Sequence, residues 1–437
     1  MTYWALLRFF LPLVLTQIAL NTGSQFLNGG IARLPQATHT LAVFGLAWGI
    51  TDFLLSPLAQ VRQLGLVLAG DYPSLMRLQQ FILFCSGGLM CALIALAGSQ
   101  LGDWILVDLH GVERKMAQKV QIALWSFVPL PIFTGLSRLY SGLLIQSRRT
   151  DLVSLAMGLG MAFQIGAVAV LLQVEWIGQN PIVLPIIAVY LSEIVALVVV
   201  LIGYRRYVSA GLPREASAFL RWGYIVGFFW PLALVMSIQG FSRPLVNLFV
   251  SRQHDGVSAL AVLAVVYVLA HLPYGWLNEL RSIPAAFSNE GSERKIRVFS
   301  LVCGLCSFSI MALLFWTPMR DYILLNWVGI NSGLAEQCAL PLIIFSFFPL
   351  AVCLRSYLNG VALVQHRTKA LAPSAPARVG AIFIALLVFS TAGWSGATMG
   401  IAALLCGFVV ESLAVWIGVR EWPKIEKEWA VRREKNG

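Results

Sequence analysis

The chain has 437 residues, 58% of them hydrophobic and only 12% charged, with a formal net charge of +11. Soluble domains run at roughly 45–50% apolar and 25% charged, so composition excludes a soluble globular protein and points to a chain dissolved in lipid. Lipid leaves the backbone only helices or closed barrels, and the apolar segments here are helical in length, about 20 residues, with no alternation at strand length.

In chain order the first set of predicted spans is Leu6 to Asn28, Leu41 to Leu68, Leu78 to Gly98, Val120 to Ile145, Leu152 to Val174 and Ile182 to Gly203. The second set is Tyr224 to Val250, Val257 to Leu280, Val298 to Phe315, Leu340 to Val364, Val379 to Ala392 and Ala397 to Val419. Asp52 and Pro57 suggest a bend in the second span, and Pro373 and Pro376 disturb the start of the eleventh. The expected fold is an all-α polytopic membrane protein of about 12 transmembrane helices. Met1 to Leu20 runs straight into the first span and is expected to be retained as structure, with no separate cleavable signal.

The second set is a diverged copy of the first. Phe9 to Arg33 aligns without gaps on Phe228 to Arg252, pairing Pro12 with Pro231, Asn28 with Asn247 and Arg33 with Arg252 at a separation of 219 residues. Pro131/Pro349, Gly142/Gly360 and Arg149/Arg367 keep a separation of 218. An offset this constant indicates duplication of a whole unit, an architecture found in membrane chains chiefly among transporters. The expected organisation is two pseudo-symmetric six-helix lobes: 1–205 as an N-lobe, 206–222 as a cytoplasmic linker, 223–420 as a C-lobe and 421–437 as a basic cytoplasmic tail.

Connections after even-numbered spans, with the tail, carry twenty Lys and Arg against six after odd-numbered spans. The positive-inside bias therefore places both termini in the cytoplasm and accounts for most of the net charge without a nucleic-acid partner. The chain contains no Asn-x-Ser/Thr acceptor, consistent with a bacterial inner membrane. The cysteines sit mostly in spans and read as reduced, packed thiols; Cys303 and Cys306 form a CxxC inside an apolar helix without further ligands, so no metal site is expected.

Chemistry narrows the function further. There is no GxxxxGKS/T phosphate loop, no HExxH and no GxSxG, and the five histidines are scattered, so neither an ATP-driven pump nor a membrane hydrolase finds its machinery. No catalytic residues and no cofactor are expected. A secondary transporter needs only a polar cavity between its halves, and the spans supply polar faces. Asn21, Gln25 and Asn28, with Gln17, share one face of the first helix; Gln239, Arg243 and Asn247 recur at the same spacing in its copy. Arg138 in the fourth span, Arg355 and Asn359 in the tenth, and His271, Tyr274, Glu279 and Arg281 in the eighth complete the cavity candidates.

Amides such as Gln17, Asn21 and Asn278 commonly serve only to bind helices together. Arg138, Arg243 and Arg355 are more telling, because each lies about ~10–15 Å from the nearer helix end at 1.5 Å per residue, too deep for easy snorkelling. A central arginine costs roughly 2.5–3.5 kcal/mol on insertion scales. Two readings stand for each: facing the transport path, or structural pairing with Asp52, Glu193, Glu279, Glu336 or Glu411. Guanidinium groups match carboxylate and phosphate, whereas cation antiport would want carboxylates, and the first and seventh spans have none.

Several motifs carry a resemblance to a known family. SRPLVNLFVSR at Ser242 to Arg252, HLPYGWLNELR at His271 to Arg281, IFSFFP at Ile344 to Pro349, LAPS at Leu371 to Ser374, GATMG at Gly396 to Gly400, LNGGIAR at Leu27 to Arg33 and GLVL at Gly65 to Leu68 closely resemble the progressive ankylosis (ANK) transporter family. The resemblance runs from about Trp4 to Val419. It implies a MATE-like fold of the multidrug/oligosaccharidyl-lipid/polysaccharide flippase type around a central cavity, and efflux of small polyanions: pyrophosphate, nucleotides such as ATP, citrate or malate. It marks Asn28, Arg243, Asn247, Tyr274, Glu279, Arg281 and Phe345 to Pro349 by position. Gly29 and Asp52 depart from the animal members, which are basic at both places, so organic di- and tricarboxylates are the preferred expectation over pyrophosphate. The leading expectation is a monomeric secondary exporter of small polyanions acting by alternating access in a lipid bilayer. The alternatives are a lipid-linked or polysaccharide flippase and a non-transporting membrane scaffold.

Overall fold

The structure, a computed structural model, describes residues 2–435 except 32, 36, 110–113, 216–219, 252, 254–255, 288–292, 329, 331 and 395; the side chains of 19–25, 28, 37–38, 251, 256–257, 261, 264 and 421–435 also lie outside the described residues. Helices α1 (Tyr3–Ile31) and α2 (Ala37–Leu55) come first, and α2 tightens into a 3-10 segment at Ser56–Gln60 before continuing as α3 (Val61–Val67). Pro57 forces this change, having no N–H to offer the carbonyl one turn earlier. Asp71 caps α4 (Tyr72–Gly98) by accepting a 2.8 Å hydrogen bond from the Ser74 amide, with proline in the first turn. Short α5 (Gln100–Asp103) and a π-helical turn at Trp104–Leu109 lead to α6 (Arg114–Phe127) and α7 (Leu130–Gln146), which meet at a 44° bend. Helices α8 (Thr150–Leu171), α9 (Glu175–Gln179) and α10 (Val183–Tyr207) complete the first set.

The second set comprises α11 (Trp222–Gly240), α12 (Ser242–Ser251) and α13 (Gly256–Tyr274), a 3-10 segment at Gly275–Arg281, α14 (Ser282–Ala286) and α15 (Glu293–Phe315). After α16 (Met319–Tyr322) and a π-helical turn at Ile323–Val328 come α17 (Ser332–Phe345), α18 (Phe348–Val364), α19 (Ser374–Thr391) and α20 (Gly396–Lys435). Among the described residues, ten helical segments are long and apolar enough to cross a membrane, and the bent α6/α7 pair makes an eleventh. Helix α1, whose described apolar part is Tyr3–Ile18, completes the expected twelve.

The duplication is written into the backbone. The 3-10 segments at Ser56–Gln60 and Gly275–Arg281 begin 219 residues apart, as do the π-helical turns at Trp104–Leu109 and Ile323–Val328, and α18 reproduces both ends of α7 at an offset of 218. Among the described residues the non-glycines with positive φ are Arg148 at 57° and His366 at 54°, which are copies of one another. Each sits just past its helix. In the first, the Arg149 amide reaches back to the Leu144 carbonyl at 2.8 Å; in the second, the Arg367 amide reaches the Ala362 carbonyl at 2.8 Å. This is the Schellman closure, which puts its penultimate residue in the left-handed region.

The described residues fall into two compact units, Leu11–Phe229 and Trp230–Gly437 with Met1–Phe10. In the first, α8 packs along α10 and α3 against α7. A Cβ on Gly142 would lie 2.2 Å from the Arg62 carbonyl oxygen, so this crossing is set by bare backbone. In the second, α19 packs along α20, and a Cβ on Gly360 would lie 2.7 Å from the Arg281 carbonyl oxygen, the duplicate of the same contact. Phe10 belongs to this unit, with its ring centroid 5.8 Å from those of both Trp276 and Phe299.

Several spans differ from expectation, among them the fourth, the eleventh and the seventh. The fourth reaches back to Arg114, because the amphipathic turn before Val120 is helical as well. The eleventh begins at Ser374: Pro373 caps it and Pro376 occupies its first turn, where a missing N–H costs nothing. The seventh is broken at Phe241 between α11 and α12, since Pro244 has no N–H for the Gly240 carbonyl.

Candidate functional site

The polar interior of the second unit is organised by Glu411 of α20. Gly407, one turn earlier, makes room for α19: a Cβ there would meet the Ile382 side chain at 2.4 Å and the Arg378 carbonyl at 3.2 Å. Arg378 is thereby brought beside α20, and its Nη1 donates to Glu411 Oε2 at 3.2 Å. Arg355 of α18 donates through Nη1 to the same oxygen at 3.0 Å and through Nη2 to Asn278 Oδ1 at 2.6 Å. Asn278 is itself fixed, because its amide donates to the Gly275 carbonyl at 2.9 Å inside the 3-10 segment. Gln239, at the end of α11, donates to the other carboxylate oxygen, Oε1. Phe408 lies beneath both guanidinium groups, 3.9 Å from Arg378 and 5.3 Å from Arg355. Arg355, Arg378 and Glu411 are buried, so the pairing offsets what would otherwise be a heavy desolvation cost.

Arg243 stands differently. It is the second residue of α12, directly after the break, and its side chain is exposed. Its guanidinium lies 4.8 Å from the centre of the Tyr267 ring and hydrogen-bonds with the Tyr274 hydroxyl. Among the described residues no carboxylate forms an ion pair with it. His271 meets Tyr274 edge to face at 5.1 Å. Ser242 Oγ and Asn247 Oδ1 on α12, and the Tyr267 hydroxyl and His271 Nδ1 on α13, are buried polar atoms without a hydrogen-bond partner, and Asn359 Oδ1 on α18 is another. The amide end of α12 adds its positive dipole. Arg243, Arg355 and Arg378 all act electrostatically on Tyr274, which joins the open group to the Glu411 network. Arg243, Arg355 and Arg378 thus all approach Tyr274, and Glu411 pairs with two of the three.

In the first unit, Arg138 on α7 acts on both Asp52 and Glu193, and Glu193 accepts a hydrogen bond from the Thr134 hydroxyl. Asn21, Gln25 and Asn28 lie on α1, but their side chains are outside the described residues. Glu279 is buried and Arg281 half-buried on the 3-10 segment, each engaged by neighbours, one turn beyond the Asn278 contact.

The family model described as Progressive ankylosis protein (ANKH) matches residues 1–317. The chain belongs to the progressive ankylosis protein family. Solved structures share its fold at low identity. A mutant of the Vibrio cholerae MATE transporter VcmN has a TM-score of 0.74 at 12% identity, covering 96% of each chain. A MOP superfamily transporter from Pyrococcus furiosus, reported with a binding pocket of reversed polarity, has a TM-score of 0.67 at 14% identity over 97% of this chain and 95% of that one. The eukaryotic MATE transporter AtDTX14 has a TM-score of 0.65 at 13% identity over 95% and 94%. Family and fold together point to an integral membrane protein of transporter type.

For this ankylosis-family chain, the sequence-derived candidates divide by environment. Gln239 and Arg355 meet at Glu411; Arg243, His271 and Tyr274 form the open group with Asn247 nearby in chain order; Arg138 faces carboxylates. Sequence reasoning missed Arg378, Tyr267 and Phe408. Arg378 was discounted because the eleventh span was started at Val379, after the prolines. Reading Pro373 and Pro376 as first-turn residues would have put Arg378 inside the helix.

Proposed function

We propose that the chain is a secondary transporter exporting small organic or phosphorylated polyanions, of the citrate, malate, ATP and pyrophosphate class, by alternating access between two lobes. The observation that carries this reading is Arg243. It is an exposed guanidinium at the break of a membrane-crossing helix, with no acid paired to it among the described residues and with orphaned hydroxyl, amide and imidazole groups on α12 and α13. Arg355 and Arg378 are committed to Glu411, so they shape and charge the interior without offering a free fork. Broken helices whose amide ends point at anionic groups are the recurrent device of secondary transporters. The reversed polarity of the binding pocket reported for the Pyrococcus furiosus MOP superfamily transporter, with the different function it suggests, is in keeping with a change of pocket charge within this fold. Citrate-like carboxylates are the preferred members, and a bacterial inner membrane with cytoplasmic termini the preferred setting.

The test is thermal stabilisation of purified protein by a panel of citrate, malate, ATP and pyrophosphate. A ligand at 100 times its Kd adds about 2.7 kcal/mol to the folded state. At least one anion is expected to raise the melting temperature, and Arg243→Ala is expected to remove that shift while leaving the ligand-free melting temperature nearly unchanged. An unshifted wild type across the panel, or an equal shift in Arg243→Ala, contradicts the reading.

A further inference from the structure

A second cavity lies in the second unit away from the Arg243 group, with a volume of about 340 Å³. Its polar rim is formed by Glu293 and Arg297 at the start of α15, Gln365 after α18 and Arg420 on α20. These residues sit at the limits of three apolar spans, Glu293–Phe315, Ser332–Val364 and Gly396–Arg420, which is where hydrocarbon gives way to headgroups. Below the rim the lining turns apolar, with Ile296, Leu358 and Val361. Tyr357 and Trp416 line the cavity as well.

Both cations are placed. Arg297 hydrogen-bonds with the Tyr357 hydroxyl, and the Arg420 guanidinium lies 5.5 Å from the Trp416 ring centre. Glu293, one turn before Arg297, is the acid on the rim, so the rim carries two cations against one anion. The duplicate position in the first unit is built differently: Tyr140, the counterpart of Leu358, packs on Tyr204 with ring centroids 4.8 Å apart and receives a hydrogen bond from Gln79.

We propose that this cavity is a phospholipid site, in which the phosphodiester of an anionic glycerophospholipid lies between Arg297 and Arg420 and an acyl chain runs over Ile296, Leu358 and Val361. The paired guanidinium groups match phosphate oxygens, and the apolar floor has no complement in a soluble phosphate. The lipid is a bound structural partner and is not carried across, so the site is independent of the anion path.

Delipidated full-length protein in non-ionic detergent, incubated with phosphatidylglycerol or phosphatidylcholine and weighed by native mass spectrometry, tests this. Wild type is expected to retain phosphatidylglycerol in preference to phosphatidylcholine. The double variant Arg297→Gln with Arg420→Gln is expected to bind phosphatidylglycerol about tenfold more weakly. Arg149→Gln, which removes a cation stacked on Tyr207 in the first unit, is expected to bind as wild type does. Val361→Phe keeps both cations and fills the floor, and is expected to lose the lipid too, which separates the site from a fold defect in the double variant. Equal retention by wild type and by Val361→Phe, or displacement of the lipid by equimolar soluble glycerophosphoglycerol, overturns the proposal.

Discussion

Arg243 and Arg355 look alike in the sequence, each a deep arginine in a membrane span, and differ entirely in partner. Arg355 shares the carboxylate of Glu411 with Arg378, while Arg243 has aromatic and hydroxyl neighbours. Opposite consequences of mutation follow. Glu411→Gln removes the one carboxylate from two buried guanidinium groups and is expected to cost about 3–5 kcal/mol, read as a large fall in melting temperature or in folded yield. Arg243→Ala leaves no buried charge stranded and is expected to change stability by about 0.5–1 kcal/mol, the scale of an exposed cation–π contact. The sequence could place both arginines at depth from their spacing to the helix ends, but it could not assign partners. Glu411 is 56 residues from Arg355 and 33 from Arg378, and only the packing of α18 and α19 on α20 brings the three together.

At the scale of elements, the crossings built on glycine are the points where sequence and geometry meet most directly. Gly142 and Gly360 are duplicates, and each lets a helix touch the carbonyl of a duplicated arginine, Arg62 or Arg281. Alanine at either position forces the helices apart, at an expected cost of about 1–3 kcal/mol. The gap a Cβ would have is smaller at Gly142, 2.2 Å against 2.7 Å, so Gly142→Ala is expected to melt lower than Gly360→Ala. Equal melting temperatures would contradict that ranking. Helix existence was legible from apolar length alone, and the bend near Pro57 from the proline. The break at Phe241 was not, because a run of apolar residues on both sides masks the lost Gly240 hydrogen bond; Pro244 was its signal. The break alters the meaning of the Gln239, Arg243 and Asn247 spacing, since Gln239 ends one helix and Arg243 opens the next.

For the whole molecule, duplication supplies the scaffold and divergence supplies the chemistry. The offset of 218 to 219 residues, visible in paired prolines and glycines, reappears in the 3-10 segments, the π-helical turns and the left-handed residues Arg148 and His366. Those features depend on backbone sterics, which a diverged copy keeps. The charged clusters have not been kept: Arg138 acts on Asp52 and Glu193 in the first unit, whereas in the second Arg355 and Arg378 pair with Glu411 and Arg243 stands on the Tyr267 ring. Nothing in the spacing of the repeat could show that difference, because it arises from Arg243 and Arg378, which have no cationic counterpart in the aligned first half. The central claim, that the second unit's open guanidinium serves anion transport, is tested most directly by flux. Purified protein in liposomes is expected to move labelled citrate, malate, ATP or pyrophosphate, with Arg243→Ala folded and inactive. If none of the four moves under any imposed gradient, or if Arg243→Ala transports as wild type does, the claim is wrong.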